Sequence, residues 1–167
     1  MSLKQSLLDN PDLHKAARKE VEALIRSVDG NEVDTAEEIM RLTFEDMIAC
    51  LEKEDMTQAA FAFAIARMKF LTQNYLADDA RAWCCWGTAL IRYGDDTKDV
   101  EEKLQCFQRA CEKYENATGI AQDLAVVWKN WGYALCQYGE RTKDLEESLQ
   151  CFNDACEKCE EATKIDP

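Results

Sequence analysis

The strongest constraint on this chain is that it repeats itself. Residues 83–118 align with residues 128–163 at an offset of 45, without a gap, with 23 identities in 36 positions. A period between 20 and 50 residues marks architectures in which each unit buries an apolar face against its neighbour. Whatever one copy folds into, the other must fold into as well.

Each copy reads as two helices. The first segment, Asp78 to Tyr93 or Asp123 to Tyr138, carries large apolar residues at helical spacing. Gly94 or Gly139 is expected to end it, because glycine accepts a left-handed backbone. The second segment is expected to open at Thr97 or Thr142, followed by Asp99-x-x-Glu102 or Asp144-x-x-Glu147, acidic chemistry suited to the helix dipole. Its apolar residues are Val100, Leu104, Phe107, Cys111 and Tyr114, or Leu145, Leu149, Phe152, Cys156 and Cys159. They alternate steps of four and three and so share one helix face. A second stripe of smaller residues, Cys106, Ala110 and Ala117 with Cys151, Ala155 and Ala162, lets a neighbouring helix come close. Each unit is then a helical hairpin with two faces to bury.

Upstream, Thr35-x-x-Glu38 reads as a capping box that opens a helix running to about Glu52, with Gln58 to Leu76 as its partner. Before it, Asn10-Pro11 places an N-cap ahead of proline at the first helical position, and Leu13, Ala17, Leu24 and Val28 continue toward Asp29-Gly30. Two prolines and six glycines in 167 residues leave few breaks, which favours an all-α chain of about seven helices. The expected organisation is an N-terminal capping region (1–32), a degenerate hairpin (33–77) and two repeats (78–122 and 123–167), forming one structural domain overall.

The two repeats resemble the tetratricopeptide family, whose pattern is W-x2-L-G-x2-Y followed by A-x3-F and a later Pro. Trp83-x2-Trp86-Gly87-x2-Leu90 and Trp128-x2-Trp131-Gly132-x2-Leu135 match its first helix, with Trp in place of Leu and Leu in place of Tyr. Ala110-x3-Tyr114-x2-Ala117 and Ala155-x3-Cys159-x2-Ala162-x4-Pro167 match its second, and Phe61-x2-Ala64-x3-Met68 extends the likeness upstream. The family unit is 34 residues, so the extra length falls at the hairpin turn, in Asp95 to Gln105 and Glu140 to Gln150, much of which looks helical. The resemblance implies a right-handed solenoid of antiparallel hairpins. It also implies a concave surface, lined by the first helix of each hairpin, that holds a peptide or a helix of a partner protein.

Positions that differ between the copies mark a candidate lining. On the first helix Cys84, Cys85, Thr88, Ile91 and Arg92 stand against Lys129, Asn130, Tyr133, Cys136 and Gln137. At about 100° per residue these occupy roughly one third of the circumference. The candidate groove is Arg81, Cys84, Thr88, Ile91, Arg92, Lys129, Asn130, Tyr133, Cys136 and Gln137, a mixture of apolar and cationic groups suited to recognition. Some family members clamp a partner's terminal carboxylate with Lys and Asn, and the resemblance places Lys129 and Asn130 at two such positions, with Tyr133 where a further Asn is expected.

Other chemistry has little material. The net charge of −13 is spread over both halves, with nine Lys/Arg against fourteen Asp/Glu in residues 1–77 and eleven against nineteen in 78–167. Such a surface repels nucleic acid and anionic membranes. The longest apolar run, Ala59 to Ala66, is far short of the roughly 20 residues of a membrane span. Nine cysteines with no charged-then-apolar leader at Met1 suggest a reducing, cytoplasmic setting. Cys156-x-x-Cys159 has the spacing of a metal or redox pair, but its counterparts are Cys111 and Tyr114, so it is expected to be packing. Cys84-Cys85 is expected to be exposed enough to oxidise. His14 is the only histidine, and Glu101-Glu102 and Glu146-Glu147 are expected to be solvated carboxylates at helix starts. The four tryptophans are expected to be core. No catalytic residue, metal or cofactor is expected. The expected function is a non-catalytic adaptor for a protein or peptide. A small acidic chaperone for one client is an alternative. A self-association module, a homodimer through the C-terminal repeat face, or a fragment of a longer array is another.

Overall fold

Asn10 starts the first long helix. Its Oδ1 accepts hydrogen bonds from the amides of Asp12 (3.0 Å) and Leu13 (3.4 Å), and Pro11 occupies the position where a missing N–H costs nothing. The computed structural model describes residues 7–28, 30–52 and 58–167, without the side chains of 48–52. The first six residues of the expected capping region, and Asp29 of the expected Asp29-Gly30 stop, lie outside the described residues. A 3-10 turn, Leu7–Asp9, leads into α1 (Pro11–Ser27), α2 (Glu32–Glu52), α3 (Gln58–Asn74), α4 (Ala80–Asp96), α5 (Val100–Ile120), α6 (Ala125–Gly139) and α7 (Leu145–Ile165). Among the described residues the chain is all helical, with seven α-helices and no strand.

By packing, the chain divides into two compact units, Met1–Ala77 and Asp78–Pro167. In the first, α3 packs on both α1 and α2. The buried face of α1 is Ala17, Val21 and Ile25, a strict four-residue stripe, whereas Leu24 and Val28 of the expected stripe are exposed. Arg67 of α3 reaches both neighbours, donating to the Glu20 carboxylate of α1 and to Thr43 Oγ1 of α2, with its guanidinium 5.3 Å over the Phe63 ring. The expected capping box is displaced by one turn: α2 begins at Glu32, capped by Asn31 Oδ1, which accepts from the Val33 amide at 3.0 Å. Thr35 sits inside the helix with its hydroxyl on Asn31 O, and Glu38 pairs with Arg41. Asn31 stands one turn earlier and carries a side-chain acceptor that is preferred over threonine at this position.

The second unit is α4 against α5, α5 against α6 and α6 against α7. Asp99 and Asp144 are the caps of α5 and α7, accepting from Glu101 and Glu102, and from Glu147, at 3.0 Å. Thr97 and Thr142 therefore do not open the second helices; their amides bond back to Tyr93 O and Tyr138 O. Their hydroxyls donate to Glu102 Oε2 (3.0 Å) and Glu147 Oε2 (2.6 Å). The other carboxylate oxygen takes the phenol of Tyr93 (2.8 Å) or Tyr138 (2.9 Å). Glu102 and Glu147 are thus not merely solvated. Each ties the end of one helix, the turn and the start of the next, and hydrogen bonds to a charged acceptor are the stronger kind.

The tryptophans are only partly core. Trp83 stacks on Trp86 at 5.6 Å and Trp128 on Trp131 at 5.7 Å between ring centroids. A lysine of the second helix lies over each pair, Lys113 Nζ 4.7 Å above Trp86 and Lys158 Nζ 4.3 Å above Trp131. Trp86 is buried, but Trp83, Trp128 and Trp131 are half-buried.

Glycine serves packing here. A Cβ on Gly87 would lie 2.9 Å from the Tyr114 ring, and one on Gly132 2.9 Å from Cys159 Sγ and 3.2 Å from Ala155 O. Gly94 does not end its helix, which runs to Asp96; it lets Cys106 and Phe107 approach to 3.0 and 3.1 Å of where its Cβ would be. Gly119, by contrast, meets nothing within 4 Å. Gly87→Ala is expected to cost about 1–3 kcal/mol by overpacking a rigid ring. Gly119→Ala is expected to stabilise by up to about 1 kcal/mol through helix propensity. Urea unfolding of the two variants checks the pair; equal effects would contradict the close helix approach.

Candidate functional site

The expected groove residues do not form one lining. Cys84 (9% exposed) and Ile91 (4% exposed) are buried, a correction to their expected place in the groove: Cys84 lies against α6, whose Asn130 Nδ2 approaches its Sγ at 4.0 Å. Thr88 turns into its own hairpin, its hydroxyl on Cys84 O at 3.0 Å and 3.2 Å from the Tyr114 phenol. Arg81 is engaged by its helix cap, with Nη2 2.7 Å from Asp79 Oδ2. Lys129 is exposed and faces a cleft between α6 and α7. Asn130, Cys136 and Gln137 are half-buried, and Gln137 O accepts from Arg141 Nη1 at 2.8 Å.

What remains together is a patch where α4 and α6 meet. Tyr133 is 44% exposed, and its phenol is raised above the ordinary value by partial burial and by the Asp95 carboxylate, against Arg92 and Arg141. Asp95 is raised by desolvation, with Arg92, Lys103 and Arg141 pulling the other way. Arg92 is half-buried, and its Nε is closed off from solvent without a hydrogen-bond acceptor. A half-buried guanidinium beside an exposed tyrosine gives this patch a cation that can attract a carboxylate. Arg141 bridges copies, stacking 5.6 Å from the Phe107 ring of α5 while pairing with Glu140. Asp95 lies in the last turn of α4, past the Gly94 expected to end it, and Arg141 in the turn after α6, so both fall outside the helical arc compared in sequence.

The divergence between copies follows coverage. Where α6 lies on the first copy, Cys84, Ile91 and Tyr114 are buried; at the matching positions Lys129 and Cys159 are exposed and Cys136 is half-buried. Cys156 and Cys159 are thus more exposed than their counterparts Cys111 and Tyr114, although Cys159 Sγ still packs against Gly132. In the first unit a cleft of about 320 Å³ lies between α1 and α3, where Lys15, Arg18 and Lys69 surround Phe70.

Among the described residues no group of three or more His, Cys, Asp or Glu is placed to hold a metal ion, and no helix is long and apolar enough to cross a membrane. No protein-family model matches the chain, and no curated protein matches it closely enough to be a relative. The likeness to tetratricopeptide repeats therefore rests on the residues of the two copies.

The thiols report this geometry. Burial pushes Cys84 up to about 11 and Cys85 and Cys111 up to about 12; Cys84 is buried and Cys85 half-buried, so the pair is less exposed than expected. At pH 8 a thiol of pKa 11 is only about one part in a thousand thiolate. Alkylation followed by peptide mass mapping is expected to label Cys156 and Cys159 first, with Cys84, Cys85 and Cys111 lagging. The reverse order would contradict the covering of α4 and α5.

Proposed function

We propose that this chain is a non-catalytic, tetratricopeptide-like binding module that holds a segment of a partner protein along the meeting edge of its first-position helices. The observation that carries the reading is a half-buried cation, Arg92, beside an exposed tyrosine, Tyr133, in a chain of net charge −13. Aromatic and arginine groups dominate binding energy at protein interfaces. Asp95 beside them supplies an acceptor for the partner's backbone amides. The right-handed solenoid and concave groove belong to this same reading, supported by the repeat motif. The function is that of an adaptor, with the acidic surface favouring partners whose flanks are basic and whose anchor is a carboxylate.

The test is selection of peptides from a displayed random library on the immobilised full chain, followed by anisotropy titration. Selected peptides are expected to share an acidic or C-terminal carboxylate anchor. They are expected to bind the Arg92→Glu, Tyr133→Ala double variant at least about tenfold more weakly, a loss of ~1.4 kcal/mol, with an unchanged melting curve. Equal binding to both chains would place the site elsewhere, and loss of folding would make these residues structural.

A further inference from the structure

A second surface stands out when the two copies are compared helix by helix. The second helices α5 and α7 have the same length and nearly the same sequence, yet different surroundings. On α5, Phe107, Tyr114 and Ala117 are fully buried and Leu104 and Cys111 half-buried, with α6 packed along the helix. On α7, Leu149 is 56% exposed, Cys156 and Cys159 are exposed, and Phe152 and Ala162 are half-buried. A cleft of about 430 Å³ opens beside this stripe, floored by Ala125, Cys159 and Ala162 and rimmed by Lys129 and Asp166. The first copy thus shows what an α7-like face accepts.

We propose that the bare face of α7 receives an amphipathic helix of another protein, small and apolar along one stripe and basic at its flanks. The template for that occupant is α6. Its Val127 and Ala134 are fully buried, it carries Lys129 and no acidic residue from Ala125 to Gly139, and it is followed by Arg141 over the Phe107 ring. A basic residue of the partner would lie over Phe152 in the same way.

Charge selects a foreign basic helix over a second copy. Within α7, Glu146, Glu147, Asp154, Glu157, Glu160 and Glu161 face only Lys158 and Lys164, a net of −4. In α5 the acids Glu101, Glu102, Glu112 and Glu115 are nearly balanced by Lys103, Arg109 and Lys113, a net of −1. Two α7 helices brought face to face would repel, whereas a basic helix gains steering and register. The surface is separate from the Arg92 and Tyr133 edge and does not depend on it.

The probe is a fluorescein-labelled peptide copying residues 123–142, which spans α6 and Arg141, titrated against the full chain by anisotropy. Saturable binding in roughly the micromolar range is expected, at least tenfold weaker for the peptide with Lys129→Glu and Arg141→Glu. It is expected to be at least tenfold weaker also for a Leu149→Lys, Cys156→Lys chain whose circular dichroism and melting are unchanged. Those positions are exposed, so folding is expected to survive. Absence of saturable binding, equal binding by the two peptides or by the two chains, or light scattering showing that copies of the chain already pair through α7, would each overturn the proposal.

Discussion

The close approach of the two helices within each hairpin is the contact on which the second unit depends. It exists because Gly87 and Gly132 leave room for a tyrosine ring or a cysteine sulfur within 3 Å of where a Cβ would stand. Dense packing of this kind transmits any added volume. The rest of the hairpin is arranged around it: a stacked tryptophan pair under a lysine on one side, and a glutamate clamping tyrosine and threonine across the turn. Every residue of the tryptophan–lysine and tyrosine–glutamate–threonine sets is identical in the two copies.

Between copies, coverage takes over as the deciding constraint. The pair Thr88 and Tyr114 in the first copy becomes Tyr133 and Cys159 in the second, so the tyrosine changes helix. In the covered copy the phenol is enclosed and bonded to Thr88; in the uncovered one the tyrosine stands 44% exposed on the first helix. Drift of a ligand-facing arc is therefore not needed to account for Cys84, Ile91 and their counterparts. The functional edge narrows to Arg92, Asp95, Tyr133 and Arg141, and the end face becomes a second surface of its own chemistry.

The helices, their number and the hairpin pairing were legible from periodicity and the 45-residue repeat, since both report which side of a helix is apolar. Local chemistry was less so. Thr97, Thr142 and Thr35 looked like helix caps because hydroxyls commonly cap, yet a nearby Asp or Asn offered a better acceptor in each case. Gly94 looked like a stop because a glycine chosen for closeness is indistinguishable in sequence from one chosen for its backbone. The site was least legible: burial by the next repeat depends on which helix follows in space, and that relation joins Cys84 to Asn130 across 46 positions.

Native-state hydrogen exchange along the chain tests most directly the claim that α5 is sandwiched while α7 is covered on one side only. Opening a helix held on two faces costs more than opening one held on a single face. Two stacked hairpins predict that amides in the middle of α5 exchange among the slowest in the second unit, and that those in the middle of α7 exchange clearly faster. Equal protection of the two helices in the monomeric chain would contradict the stacking on which both binding surfaces rest.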